Sequence, residues 1–478
     1  MAERLTALDV SFLYLEDINA PQHVGSVEIF SAPEQGFDYD RLVRLIRERI
    51  SFVPRYRQRV REVPGNLASP VWVDDEAFDV TYHVRRSALP RPGTQAQLEE
   101  LVARIMSRPL DRSRPLWEMY LVEGLEGGRF ALLTKTHHAM VDGIASVDLG
   151  QVILDVTPDP RQPAGDAWTP AREPGSVELV ASAVHDIVRS PADVVASVRD
   201  NVADVGQALA RVGRSAIGLV SAAWTVARPA ASNPLQVEIG QARRFAMLEA
   251  RLDDLKAVRA EHGGSVNDVV LAVVAGGLRE WLLTRGESIT ARTTVRAMVP
   301  VSVRDESPDD AGAVAGFLVE LPVGEPDPVV RLQRIAYEMG QHKESGRLVG
   351  AEALVAFAGF APPTLHALGA RVGSGLSRRV YSLVVTNVPG PQFPLFAGGA
   401  RMLAAYPVVP LPKGQAVSIG ATSYDGGVYI GLNGDRDAMA DLDVLVDCLE
   451  HALSDLLDTL PKGRRRRRGT VAASSPPG

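Results

Sequence analysis

The stretch His137-His138-Ala139-Met140-Val141-Asp142-Gly143 brings two imidazoles and a carboxylate close together in the chain. The apolar run before it, FALLTKT over residues 130–136, predicts a buried strand. Beyond Asp142 the apolar residues recur at nearly helical spacing, which predicts a helix. We therefore expect the histidines at a strand-to-helix corner, where rigid backbone projects side chains into a cleft. An imidazole there can take up and release a proton near neutral pH.

Length, composition and charge limit the classes of protein to which the chain can belong. The chain has 478 residues, of which 46% are hydrophobic and 23% charged, so a globular protein of two domains is expected. A net charge of -7 gives no reason to expect nucleic acid as a partner. The one cysteine, Cys448, excludes an intramolecular disulfide and fits a reducing interior. Its place among helically spaced leucines predicts a buried, inert thiol rather than a nucleophile.

The sequence favours a cytoplasmic protein. It shows no secretory signal, and no window reaches the ~18 apolar residues of a transmembrane helix. Two segments leave a peripheral position at the inner membrane or at lipid droplets open. Residues 216–224, which end at Trp224, predict either a packed bridging helix or a helix that contacts lipid. The arginines Arg464–Arg468 lie in a tail that is either simply solvated or attracted to an anionic membrane surface.

Strand and helix patterns alternate through both halves of the chain, which predicts an α/β fold. We divide it into a first domain over residues 1–160, a linker and helical crossover over 161–242, a second domain over 243–460 and a disordered basic tail over 461–478. Strands are predicted over 23–30, 71–73 and 294–303, helices over 39–50, 95–106, 248–261, 267–284 and 441–460, an N-cap at Ser265, and a hairpin around Asp425-Gly426.

The histidine corner is open to four interpretations. In the first it is structural: Asp142 suits a helix start, where a carboxylate accepts backbone N–H bonds, but capping does not need two adjacent histidines. In the second it binds a metal ion. His138 and Asp142 could share a helix face, but three or four ligands are required and the other histidines show no paired spacing. We therefore expect no metal.

The remaining two interpretations are catalytic. A hydrolase triad is disfavoured because the chain contains no Gly-x-Ser-x-Gly elbow and Cys448 is expected to be buried. In the fourth interpretation His138 is a general base that activates a hydroxyl or amine, which then attacks an activated acyl group directly. A thioester suits this reaction because thiolate is a good leaving group, and the base would contribute ~10²- to 10⁴-fold.

The corner and its neighbours resemble a known family. The pattern His-His-x-x-x-Asp-Gly is the hallmark of CoA-dependent acyltransferases and of peptide-synthetase condensation domains. Further motifs, in order along nearly the whole chain, make it similar to the wax ester synthase/acyl-CoA:diacylglycerol acyltransferase family of actinobacterial type. They are residues 8–14 (LDVSFLY), 23–25 (HVG), 53–55 (VPR), 70–73 (PVWV), 107–111 (SRPLD), 115–117 (PLW), 267–268 (ND), 299–304 (VPVSVR), 387–391 (NVPGP) and 414–415 (GQ).

This resemblance implies a fold and an activity. The fold would be α/β, with two CoA-dependent-acyltransferase-like domains of mixed sheets flanked by helices, joined by a helical crossover segment. The active site would lie in a channel between them. The activity would be transfer of a long-chain acyl group from acyl-CoA to diacylglycerol, a long-chain alcohol, or both. Acyl-CoA would be a co-substrate, and no cofactor is implied.

The resemblance also implies roles for residues of the corner. His138 would be the base and His137 would support it. Asp142 would hold the corner in shape without touching substrate, and Gly143 would let the backbone turn closely.

Two more motifs would lie beside the channel. Pro115, Leu116 and Trp117 would line or buttress it, although Trp117 could equally be an ordinary core residue. Asn267 and Asp268 match a motif on the active-site side, although their position at a helix start also fits capping. Asn267 could donate to the oxyanion.

Two alternative functions stay open at this point. The same chemistry could acylate a polyketide, sugar or amine acceptor, as a condensation-type transferase would. Alternatively the chain could be a catalytically weak paralogue that binds lipid or coats a lipid droplet, using the apolar helix near Trp224 and the arginine tail.

Overall fold

Mixed sheets dominate the computed structural model, which describes residues 3–33, 36–141, 149–159, 168–189, 233–302, 314–344, 349–350 and 380–461. The predictions for Asp142, Gly143, Trp224 and Arg464–Arg468 lie outside these residues. The strands are β1 (Glu3–Arg4), β2 (His23–Ser31), β3 (Gln58–Arg61), β4 (Val71–Asp74), β5 (Val84–Ala88), β6 (Trp117–Leu125), β7 (Arg129–His137), β8 (Leu154–Asp155), β9 (Arg243–Arg251), β10 (Val295–Ser302), β11 (Val314–Leu321), β12 (Val349–Gly350), β13 (Leu383–Pro389), β14 (Phe396–Ala397), β15 (Ala400–Val408), β16 (Val417–Tyr424) and β17 (Gly427–Asp435).

Helices flank these sheets. The described helices are α1 (Ala7–Leu15), α2 (Tyr39–Arg49), α3 (Val80–His83), α4 (Gln95–Met106), α5 (Leu149–Val152), α6 (Ser176–Arg189), α7 (Leu252–His262), α8 (Val266–Thr284), α9 (Pro328–Glu344) and α10 (Leu442–Asp458).

The described strands form two seven-stranded sheets and one of three strands. The first large sheet has the order β5-β6-β7-β2-β15-β14-β8, and the second has the order β12-β11-β10-β13-β16-β17-β9. Each contains parallel and antiparallel pairs: β5 runs parallel to β6, and β13 runs parallel to both β10 and β16. The small sheet has the order β1-β4-β3. The α/β fold with mixed sheets is thus confirmed.

The halves of the chain are interlocked. Strand β15, from the second half of the sequence, pairs antiparallel with β2 in the first sheet, with Tyr406 opposite Val27. Helix α4 is joined to β9 across the halves, since Gln95 Nε2 donates to the Met247 carbonyl (3.0 Å) and Glu99 Oε1 accepts from the Met247 N–H (2.9 Å). These contacts fix the first sheet, which carries the histidine corner, against the second.

Several local predictions are confirmed. Helix α4 begins after Thr94, which forms a reciprocal capping box with Gln97. Helix α8 begins after the predicted N-cap Ser265. The hairpin between β16 and β17 turns at Asp425 (φ 43°) and Gly426 (φ 85°), which are the two positive-φ positions that a tight hairpin turn requires.

One local prediction is wrong. The sequence pattern predicts a helix over 248–261, but residues 248–251 are the last residues of strand β9, and helix α7 begins only at Leu252. The strand is specified by its partner, because Arg243–Arg251 pairs residue by residue with β17. Tertiary pairing overrides the local helical pattern here.

Two further expectations concern membrane spans and the thiol. Within the described part of the chain, helices long and apolar enough to cross a membrane do not occur. Cys448 lies on α10 and is buried, as predicted. Burial raises the pKa of its thiol to about 11, so the nucleophilic thiolate is scarce at neutral pH.

Candidate active site

The histidine corner is held by backbone hydrogen bonds from two sides. His137 is the last residue of β7 and lies opposite His23 of β2. Its N–H donates to the Leu116 carbonyl (2.9 Å), and the N–H of His138 donates to the Gln22 carbonyl (2.8 Å). The strand therefore ends in a fixed geometry, and His138 is the first side chain beyond it.

His138 is partly exposed. Phe12 of α1 stacks on its ring, with centroids 4.0 Å apart and planes at 26°. Its Nδ1 is buried and makes no well-aligned hydrogen bond among the described residues. Burial is the main cause that lowers the pKa of His138 to about 4, and the nearby His137 lowers it further. The backbone of His138 itself acts in the opposite direction and raises the pKa. The ring is therefore neutral at physiological pH and able to accept a proton.

His137 differs from His138 because it is fully buried. Its Nδ1 accepts a hydrogen bond from the Ala139 N–H (3.1 Å), and its Nε2 lies 3.6 Å from Oε2 of Glu16. A ring enclosed in this way can hold the corner in place but cannot reach a substrate. This geometry agrees with a supporting role, which stays a prediction.

Glu16 is a residue of the corner that sequence reasoning missed. It is the C-cap of α1, and its side chain is only 10% exposed. Its Oε1 lies 3.2 Å from Nε2 of His23, and its Oε2 accepts from Nε of Arg112 (2.9 Å) and also contacts Nη2 of Arg112. In the sequence, Glu16 and the acidic Asp17 that follows it look like an ordinary solvated turn.

The charge state of Glu16 follows from these neighbours. Burial by itself would raise the pKa of its carboxyl group. The nearby imidazoles of His137 and His23 and the charge of Arg112 outweigh burial and hold the pKa of Glu16 well below its usual value. A carboxylate is therefore present behind the corner across the physiological pH range.

The three residues of the Pro115-Leu116-Trp117 motif are all buried. Trp117 is a core residue: it is buried, its Nε1 donates to the Tyr56 carbonyl (2.8 Å), and its ring stacks on His83 at 4.6 Å. Leu116 is fully buried as well, and it borders a cavity of about 350 Å³ together with Leu13, Tyr14 and Arg112. Neither His137 nor His138 lines that cavity, so a role of the motif in the substrate channel stays a prediction.

The Asn267-Asp268 motif lies at the start of α8. Oδ2 of Asp268 accepts from the Ser265 N–H (2.7 Å), which completes a capping box with Ser265, so the capping interpretation holds for Asp268. Asn267 instead accepts from Nδ2 of Asn387 (3.2 Å). Two motifs that are far apart in sequence therefore meet, whereas a role of Asn267 toward an oxyanion stays a prediction.

Profile comparisons cover most of the chain. The profile described as wax ester synthase/diacylglycerol acyltransferase catalytic domain matches residues 5–270, and the WS/DGAT C-terminal domain matches residues 312–457.

Individual relatives agree. A probable diacylglycerol O-acyltransferase of Mycobacterium tuberculosis is 34% identical over 98% of this chain and 99% of its own length. A putative diacylglycerol O-acyltransferase of Mycobacterium bovis is 36% identical over 94% of this chain and 97% of its own length.

Solved structures show the same fold. The wax ester synthase/diacylglycerol acyltransferase of Marinobacter aquaeolei superposes with a TM-score of 0.68 at 29% identity, covering 95% of this chain and 98% of that one. The first condensation domain of the calcium-dependent antibiotic synthetase superposes with a TM-score of 0.56 at 16% identity, covering 96% and 97%. The second likeness concerns the fold only.

Proposed function

The chain belongs to the wax ester synthase/diacylglycerol acyltransferase family, and we propose that His138 is the general base of its acyl transfer. The observation that supports this role is the partly exposed imidazole of His138, at a backbone corner that hydrogen bonds to the carbonyls of Leu116 and Gln22 fix. His137 would brace the corner from behind, and Asp142 and Gly143 would shape the turn that follows.

The reaction follows from the chemistry of the groups. The acceptor hydroxyl gives its proton to Nε2 of His138 as its oxygen attacks the thioester carbonyl of acyl-CoA. The tetrahedral intermediate then collapses, the C–S bond breaks, and the imidazolium returns the proton to the leaving thiolate. The products are an ester and free CoA, and no acyl-enzyme is required.

The base is tested with H138A and a matched control. Purified wild type and H138A would be given palmitoyl-CoA with either a diacylglycerol or hexadecanol, and the products would be analysed. We expect kcat to fall ~10²- to 10⁴-fold in H138A because a general base contributes that much. H451A removes an exposed imidazole on α10 that is paired with Glu280, and it should keep full activity. Full activity of H138A would rule out His138 as the base.

The acceptor is diacylglycerol, a long-chain alcohol, or both. The mycobacterial relatives are named for diacylglycerol, and the Marinobacter relative also for wax ester synthesis. A panel in which both acceptors compete with a long-chain amine for palmitoyl-CoA measures the preference directly. Dominant amide formation would contradict this assignment.

We also place the enzyme at a lipid surface, either the inner membrane or a lipid droplet, because both acceptors are poorly soluble in water. Two apolar side chains near the β16–β17 hairpin are open to solvent: Val388 is 63% exposed and Phe393 is 50% exposed. The variant V388S/F393S should sediment less with phospholipid vesicles that contain diacylglycerol. Y337S removes a 71% exposed side chain on α9 and should sediment like wild type. Equal sedimentation of all three proteins would contradict the use of this surface.

A further inference from the structure

We propose that Glu16 is a positioning residue for the catalytic corner: its carboxylate binds the imidazoles of His137 and His23 from behind, and Arg112 holds that carboxylate in place. This inference rests on the proposed role of His138. It assigns a function in the reaction to an acidic residue at the end of α1 and to an arginine in the segment before β6.

The geometry brings four separate segments to one carboxylate. Glu16 follows α1, His23 begins β2, His137 ends β7, and Arg112 precedes β6. His23 and His137 face each other across the β2–β7 ladder, with ring centroids 6.0 Å apart at 70°. Each oxygen of Glu16 lies near a different imidazole, Oε1 at 3.2 Å from His23 and Oε2 at 3.6 Å from His137.

The proton positions explain why a carboxylate is needed. Since Nδ1 of His137 accepts from the Ala139 N–H, a neutral His137 carries its proton on Nε2, the atom that points toward Glu16. Nε2 of His137 and Nε2 of His23 are both buried, and neither makes a well-aligned hydrogen bond among the described residues. Each oxygen of the Glu16 carboxylate lies near one of these two nitrogens, whereas an amide in its place would present one oxygen and one NH₂ group to the two rings.

Arg112 fixes the carboxylate. Its Nε donates to Oε2 of Glu16 (2.9 Å), and its Nη2 donates to the Leu13 carbonyl (2.7 Å) as well as contacting Oε2. One guanidinium thus ties Glu16 to the backbone of the helix that also carries Phe12, the residue stacked on His138. The corner is therefore held by Glu16 at Nε2 of His137 and by Phe12 on one face of His138.

The consequence is a specific kinetic effect. Without the carboxylate, His137 loses its acceptor and the corner tilts, so Nε2 of His138 is misplaced relative to the acceptor hydroxyl. Misplacement of a catalytic group lowers the rate of the chemical step, whereas binding surfaces elsewhere are unchanged. We expect kcat to fall about 10- to 100-fold in E16Q. The KM for palmitoyl-CoA should stay within about 2-fold of wild type, because a group that acts only on the chemical step leaves substrate binding intact.

The experiment compares E16Q, E16D, R112A and E16Q/R112A with wild type, each checked for folding by circular dichroism. E16D keeps both acceptor oxygens and should recover part of the kcat lost in E16Q. R112A should lower kcat as well, and the double variant should be no slower than E16Q because Arg112 acts through Glu16. E123Q removes a carboxylate paired with the exposed Arg86 and should match wild type.

Several results would overturn the inference. They are wild-type kcat in E16Q, a rise in KM that accounts for the whole effect, and losses that simply multiply in the double variant. If E16Q does not fold, the positioning role is tested by comparing the kcat of R112A and E16D with wild type, because both variants keep a carboxylate at position 16. The two proposals fail separately: an active H138A refutes the base, whereas an inactive H138A with a fully active E16Q refutes only the positioning role.

Discussion

Phe12 covers one face of His138: the two rings stack with centroids 4.0 Å apart and planes at 26°. The phenyl ring lies on α1, whereas the imidazole follows β7, so the contact joins the N-terminal helix to the catalytic corner. An apolar ring in this position excludes water from the imidazole. It contributes in this way to the burial that lowers the pKa of His138 to about 4.

The first prediction concerns Phe12. F12A opens one face of the imidazole to water, so the pKa of His138 should rise toward the unperturbed ~6.5. The acid limb of kcat/KM should move to higher pH by the same amount. F12L, which keeps an apolar cover, should leave the limb close to wild type. A limb that stays in place in F12A would show that Phe12 does not keep water from the ring.

The second prediction concerns the pH dependence of the wild type. A base with its pKa lowered to about 4 is neutral above that pH and becomes protonated, and inactive, below it. At pH 5.5 the enzyme should therefore keep nearly its pH 7.5 value of kcat/KM. An unperturbed imidazole with a pKa of ~6.5 would retain only about a tenth. The measurement is kcat/KM with palmitoyl-CoA from pH 5 to 8, and a tenfold fall by pH 5.5 would contradict it.

The third prediction separates stability from catalysis at Trp117. W117F loses the hydrogen bond to the Tyr56 carbonyl and leaves that acceptor buried, which should lower the free energy of unfolding by about 1–3 kcal/mol. Urea denaturation measures this change. The kcat of the folded variant should stay within about 3-fold of wild type, since only interactions with the transition state alter the chemical step. A large loss of kcat at unchanged stability would place the ring in the substrate channel.

The fourth prediction tests the contact between Asn267 and Asn387. N267A, N387A and the double variant form a cycle for the 3.2 Å amide hydrogen bond. We expect a coupling free energy of about 0.5–1.5 kcal/mol in urea unfolding, the usual net value of one hydrogen bond. The same cycle in kcat shows whether the pair also acts in the reaction. Strictly additive losses of stability would mean that the two amides do not interact.

The fifth prediction concerns Cys448. Because burial raises the pKa of its thiol to about 11, iodoacetamide at pH 7.5 should leave both the thiol and the activity unchanged. C448A should keep wild-type kcat. Labelling in urea provides the control, since unfolding exposes the thiol. Rapid loss of activity on alkylation of the native protein would contradict a structural role.

Some features of the protein could be predicted because they are written in neighbouring residues. The alternation over residues 294–303 corresponds to β10, and Asp425-Gly426 forms the turn between β16 and β17. The helix predicted over 95–106 is α4, bounded by its capping box. Periodicity, caps and turn residues act within a few positions, so one sequence is enough to read them.

The corner itself was only partly readable. The strand ending at His137 and the adjacent His138 follow from the sequence pattern. The position of Glu16 beside His23 and His137 could not be predicted, because nothing in the sequence around Glu16 distinguishes it from a solvated acidic turn. The stacking of Phe12 on His138 was equally hidden, since an aromatic residue in an apolar helix is usually core.

By itself, the sequence determined the local elements, the pair of histidines and the order of motifs that identifies the family. Only the tertiary structure decided that β15 joins the first sheet, that Asn387 meets Asn267 across 120 positions, and that Glu16 lies behind the histidines. A hydrophobic pattern specifies which face of an element is buried but not which distant element covers it. That choice depends on packing and on satisfying buried polar groups throughout the folded chain.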